Sequence, residues 1–174
     1  MDKTKFTGEV SEKELSELME QATKQGAVLA NFFFDAHGPS EEGVRNSLVD
    51  FVGRISKEKG VLYCKGEIEK SLEKDGLYSS YSEVHVLTES FLAIMNLALK
   101  YGPVGIDLLK PREIRLNMDD AQVLLLDASQ ASQDYTTYIL QKVLPEKEKA
   151  QLQEQLRRRS EYGKELRERP ADKG

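Results

Sequence analysis

Residues Ala27-Val28-Leu29-Ala30-Asn31-Phe32-Phe33-Phe34-Asp35 decide the fold. Three successive aromatics without helical spacing read as a strand, because bulky flat side chains fill a pleated surface well. Apolar side chains fall at odd and even positions alike. Both faces are therefore covered, and the strand belongs at the centre of a sheet. On its N-terminal side, Ser11 and Glu14 form a capping box, in which each side chain satisfies an orphan amide. Leu15, Leu18, Met19 and Ala22 then recur at helical spacing, and Gly26 ends a helix over 11–25.

On the C-terminal side, Ala36-His37-Gly38-Pro39 reads as a connector and Ser40 as the cap of a second helix. Val44, Leu48, Phe51, Val52 and Ile55 form its apolar stripe, and Gly60 stops it. Glu41 and Glu42 at its start and Lys57 and Lys59 at its end suit the helix dipole. Val61-Leu62-Tyr63-Cys64 is a second strand whose polar continuation marks an edge. Residues 70–76 read as a charged connection. A third strand over 78–87 places Tyr81, Glu83, His85 and Leu87 on one face and Ser82, Val84 and Val86 on the other. Thr88 or Ser90 opens a third helix with Phe91, Leu92, Ile94, Met95, Ala98 and Leu99 as its apolar body. Residues 104–109 give a fourth strand, and Glu113 to Leu116 a short extended piece.

The order strand, helix, strand, strand, helix, strand over 27–110 is the split βαβ, or ferredoxin-like, arrangement (βαββαβ). The expected fold is therefore α+β, with the first and third strands central and both helices on one face. One cysteine cannot hold an iron–sulfur cluster, so the term names a topology alone. Four segments follow: an N-terminal tail and helix over 1–26, the core over 27–116, a long packing or oligomerisation helix over 117–144, and a charged helical arm and tail over 145–174.

Asn117 caps the long helix. Met118, Ala121, Leu125, Ala128, Ser132, Tyr135 and Ile139 recur at alternating steps of three and four, about three heptads of seam. A helix of about 26 residues measures about 39 Å, longer than a domain of this size needs. Its first half is expected to pack on its own domain and its second half to meet a partner. The interface candidates are Leu125, Ala128, Ser132, Tyr135 and Ile139. Beyond Pro145 a thin apolar line of Ala150, Leu152, Leu156 and Leu166 accompanies the pairs Glu154–Arg158, Arg157–Glu161 and Glu165–Arg169. Each such pair offers about 0.2–0.5 kcal/mol to an exposed helix.

The chain has 174 residues, 39% of them hydrophobic and 32% charged, which fits a globular protein rather than a disordered one. No apolar run approaches the ~18 residues needed to cross a bilayer, and no secretory signal is visible. With a single cysteine, an internal disulfide framework is excluded, and the cytoplasm is the expected compartment. The net charge is −5, distributed as −7 over residues 1–144 and +2 over 145–174. That balance argues against a nucleic-acid partner, whose phosphates require neutralisation. The third strand also lacks the basic-Gly-aromatic signature of single-stranded RNA readers.

Four residues are candidates for a ligand or metal. Asp35 and His37 stand together after the central strand, as a general-base or metal pair would, although the same residues also make an ordinary polar loop. Cys64 and His85 fall on strands that pair as a hairpin, and in one register they face each other. A Cys–His nucleophile would also need an oxyanion hole and an orienting group, and neither can be placed. Phosphate loops, His-Glu-x-x-His and Gly-x-Ser-x-Gly are absent. No cofactor is implied and no catalytic residue is assigned.

Residues Gly102-Pro103-Val104-Gly105-Ile106-Asp107-Leu108-Leu109-Lys110-Pro111-Arg112-Glu113-Ile114 are similar to the last strand of C-terminal extensions in some bacterial WYL-type regulators. The Trp-Tyr-Leu motif of those regulators is missing, since the chain has no Trp. The resemblance carries no chemistry to this chain.

These features lead to the expectation of a non-catalytic, homo-oligomeric (dimeric) binding or regulatory module, with a protein partner possible through the C-terminal helices. Two alternatives stand beside it. One is a small metal-dependent or Cys/His enzyme with its site at the strand ends. The other is an RNA-binding module using the sheet face.

Overall fold

The computed structural model describes residues 12–145, 148–151, 153–158 and 161. In chain order they form α1 (Glu12–Lys24), β1 (Val28–Gly38), α2 (Glu41–Ile55), β2 (Val61–Ile68), β3 (Leu72–Lys74), β4 (Leu77–Thr88), α3 (Phe91–Tyr101), β5 (Gly105–Lys110) and α4 (Met118–Val143). Residues 148–151 and 153–158 add helical positions, with residue 152 outside the description. Ser11 of the expected capping box, Leu152, Leu166 and the Glu165–Arg169 pair lie outside the described residues. The chain divides into two units, Met1–Asp127 and Ala128–Gly174.

The protein is α+β, with one antiparallel sheet ordered β2-β4-β1-β5 and β3 added against the start of β4. Val28, Ala30, Phe32 and Phe34 of β1 point to one side. There they join Val84 and Val86 of β4, Leu48 and Ile55 of α2, and Ile94 and Leu97 of α3 in a single core. Burying each of the larger side chains contributes about 1.5–3 kcal/mol. Phe51 meets Phe34 and Tyr101 edge-on at 4.6 and 5.1 Å between ring centroids. That is the geometry ring quadrupoles favour.

The helix ends follow from local chemistry. Ser40 Oγ accepts from Gly43 N at 3.2 Å, and Ser90 Oγ from Ala93 N at 3.3 Å. Asn117 Oδ1 accepts from Asp120 N at 2.7 Å. Each satisfies an orphan donor of a first turn. Gly102, with φ 56°, closes α3 in the left-handed conformation that glycine adopts freely.

Several boundaries differ from the sequence reading. β1 does not stop at Asp35. It continues to Gly38, because β4 extends far enough to pair Ala36, His37 and Gly38 with Ser80, Ser79 and Tyr78. His37 therefore lies on a strand and not in a connector. The expected connection over 70–76 contains β3, which folds back onto β4 through Asp75 (φ 52°) and Gly76 (φ 76°). Positive φ at both central positions is what a two-residue hairpin turn of this hand requires. β2 runs past Cys64 to Ile68, and residues 113–116 form no strand. No described helix is long and apolar enough to cross a membrane.

Candidate functional site

The sheet face turned away from α2 and α3 is built by the odd residues of β1 and β4. Leu29 lies opposite Leu87, Asn31 opposite His85, Phe33 opposite Glu83, Asp35 opposite Tyr81, and His37 opposite Ser79. β2 sets Lys65 beside His85 and Glu67 beside Glu83. β5 sets Asp107 beside Asn31, and β3 sets Leu72 beside Ser79. Both histidines of the chain are on this face. Leu87 is buried and Leu29 half-buried, whereas Asp35, His37 and Tyr81 are exposed. The face is thus covered at one end and open at the other.

The open end carries a hydrogen-bonded chain of three side chains. His37 Nε2 lies 2.9 Å from Asp35 Oδ2, and His37 Nδ1 lies 2.8 Å from Ser79 Oγ. A carboxylate only accepts, so Nε2 carries the hydrogen. In the neutral imidazole the lone pair is then on Nδ1, and the Ser79 hydroxyl donates to it. Around Ser79 stand three exposed apolar side chains. Leu72 is directly across on β3, and Leu77 and Tyr81 lie two residues before and after it on β4, with exposures of 75%, 55% and 49%.

The middle of the face is polar in another way. Asn31 Nδ2 donates to Glu83 Oε1 at 2.5 Å, and His85 Nε2 lies 3.7 Å from the same oxygen. Asn31 Oδ1 is buried without a protein partner among the described residues. Glu67 accepts from Lys65 Nζ at 2.9 Å, and that hydrogen bond holds its carboxyl below the ordinary range.

Cys64 pairs with Val86 and packs against the core on the helix-covered face. Burial pushes its thiol up to about 11. His85 pairs with Lys65 and lies on the opposite face. The structure therefore joins Asp35 to His37, separates Cys64 from His85, and leaves His85 well along the strand from His37. Among the described residues no three His, Cys, Asp or Glu side chains converge as a metal-ligand set. A groove of about 570 Å³ elsewhere is lined by Lys24 and Arg115 but also by Glu89, Glu113 and Asp120, so it offers no field of one sign.

On α4 no residue is buried. Of the interface candidates, Leu125, Ser132, Tyr135 and Ile139 are exposed and Ala128 is half-buried. Ser79 and Leu72 are absent from the sequence-based candidates. The Asp75-Gly76 pair is the signal that finds Leu72, because a two-residue turn forces Lys74 opposite Leu77 and hence Leu72 opposite Ser79.

Fold and face together define an α+β protein with an antiparallel sheet, one side packed under helices and the other partly open. A sequence model of the MJ0538 family matches residues 29–164, and the chain belongs to that family. No curated protein and no solved structure matches the chain.

Proposed function

We propose that the chain is a homodimeric binding or regulatory module with a ferredoxin-like core, acting in the cytoplasm by binding rather than by turnover. The strand order β2-β4-β1-β5, with every pairing antiparallel and α2 and α3 as the crossovers, supports the ferredoxin-like reading. The observation that carries the dimer is α4. It has 26 residues and buries none of them, yet it presents Leu125 at 73% exposure, Tyr135 at 71% and Ile139 at 47%. In proteins most of a helix's stability comes from packing its apolar face, and an exposed apolar stripe marks an association surface. The family match runs through this helix and beyond it to residue 164, which favours a shared role for the segment over that of an incidental tail.

The RNA reading has less support. The open face includes Asp35, Glu67, Glu83 and Asp107, and such carboxylates repel a phosphate backbone. The Cys/His enzyme reading has the least, because the two side chains lie on opposite faces. Sedimentation equilibrium of the full chain tests the proposal. The expected mass is twice 19.7 kDa. A single species of 19.7 kDa at high micromolar concentration would overturn it.

A further inference from the structure

We propose that Ser79 is an acyl-accepting nucleophile: His37, oriented by Asp35, is its base, and Leu72, Leu77 and Tyr81 receive the apolar chain of an activated ester or thioester. The site adds a covalent modification to the binding role above and does not depend on the dimer.

A serine hydroxyl is a weak nucleophile until a base stands within hydrogen-bond reach and a third group fixes that base. Both contacts are present here, at 2.8 and 2.9 Å. Such a constellation is recognised by roles and geometry rather than by sequence position; here the ring turns Nδ1 to the hydroxyl and Nε2 to the carboxylate. The chain's other histidine has no such arrangement. His85 lies 3.7 Å from Glu83, whose oxygen is already bonded by Asn31. The other sulfur or oxygen nucleophile raised by the sequence, Cys64, is packed against the core.

The surroundings point to the kind of donor. Neighbouring strands are about 4.8 Å apart, and same-face residues along a strand about 7 Å. Leu72, Leu77 and Tyr81 therefore ring Ser79 at close range. All three are exposed and none belongs to the core. A polar donor gains nothing from that ring, whereas an alkyl or aryl acyl chain gains binding free energy with each methylene it buries. Exposure of Asp35 and His37 leaves room for a bulky leaving group.

In the reaction, Ser79 Oγ attacks the acyl carbon. As the Oγ–C bond forms, the hydroxyl proton passes to His37 Nδ1, and the Asp35 carboxylate balances the imidazolium. The C–O or C–S bond of the donor then breaks, and His37 returns the proton to the departing alkoxide or thiolate. The products are acyl-Ser79 and a free alcohol or thiol, with no change of oxidation state.

The test incubates the full chain with p-nitrophenyl octanoate or p-nitrophenyl acetate. It follows p-nitrophenolate release, intact mass and the labelled peptide. One octanoyl adduct on Ser79 is expected, formed faster than the acetyl adduct. Ser79→Ala should abolish it, and His37→Gln should slow it by about tenfold or more. Asp35 is a positioning residue: Asp35→Asn should slow the reaction, and Asp35→Glu should recover part of the loss. Leu72→Lys should slow octanoate more than acetate, whereas Ser71→Ala should change neither rate. Since the side chains of Asp35 and His37 are exposed, these variants should keep the wild-type melting temperature, which is measured alongside. Label on lysines with Ser79 unmodified, or an undiminished rate in His37→Gln, overturns the nucleophile. Equal rates for the two esters overturn the assignment of an apolar chain.

Discussion

The Cys64 sulfur lies 4.0 Å from the Val52 carbonyl oxygen in the packing between β2 and α2, and burial raises the thiol from an ordinary 9.0 to about 11. At pH 8 that leaves about a hundredfold less thiolate than an unshifted cysteine carries. A thiolate of higher pKa is also more nucleophilic, so native protein should react with a disulfide reagent at least about tenfold more slowly than denatured protein. Equal rates would place the thiol outside the packing. Because the folded value is raised, the thiol's contribution to stability is complete below pH 9.0 and is lost as pH rises through about 11. Glu58 behaves in the opposite sense. It accepts from Lys100 Nζ and Tyr101 Oη, each at 2.6 Å, and these bonds hold its carboxyl below the ordinary 4.5. Its contribution is present above that value and disappears as pH falls through the lowered one. Glu58→Gln should reduce the melting temperature at pH 7, and the gap to wild type should close on acidification. A gap that stays constant into acid would show that the carboxylate charge is not what stabilises the contact.

Two glycines separate backbone from packing at the scale of the element. A Cβ on Gly66 of β2 would lie 2.7 and 2.8 Å from the two methyls of Val52 on α2, closer than real side chains approach. Gly66→Ala should cost about 1–3 kcal/mol by pushing helix and strand apart. Val52→Ala in the same chain should restore part of that loss, because the two sites share one volume. Additive losses in the double variant would place the cost elsewhere. A Cβ on Gly76 would meet no atom within 4 Å beyond its own residue and its chain neighbours, but the residue's φ is +76°. Gly76→Ala should cost about 1–2 kcal/mol through the backbone alone, with no rescue by a neighbour. The elements themselves were largely readable. Aromatic density marked β1 as central, and Ser40, Asn117 and the choice of Thr88 or Ser90 marked helix starts, of which the structure takes Ser90. The ends of β1 were not readable, because Gly38-Pro39 has the composition of a loop and only pairing with β4 keeps Ala36 and His37 extended. Asp75-Gly76 was visible in the sequence, and its pattern is that of a hairpin turn.

At the scale of the molecule, long-range register decides which candidate residues meet. Asp35 and His37 are two apart, so their proximity was legible. Ser79 joins them across 42 positions, through the alignment of β1 with β4, and nothing local encodes that. The register of β2 with β4 puts Cys64 and His85 one position out of step, which in a sheet means opposite faces. The helix α4 and its apolar stripe were legible because a helix repeats its face every three or four residues, but what meets that face is not written in the spacing. If two copies meet along it, melting temperature must rise with protein concentration, since association stabilises by mass action. Ala128 sits half-buried within the stripe, where a small side chain lets helices approach. Ala128→Glu would bring two like charges into the contact of a symmetric pair, one from each copy, and desolvate both. The variant should sediment as a monomer at concentrations where wild type is dimeric, and its melting temperature should no longer depend on concentration. The monomer should keep its far-ultraviolet dichroism over the sheet domain, because the core of β1, β4, α2 and α3 contains no residue of α4. A variant that remains dimeric would move the contact off the Ala128 face of the helix.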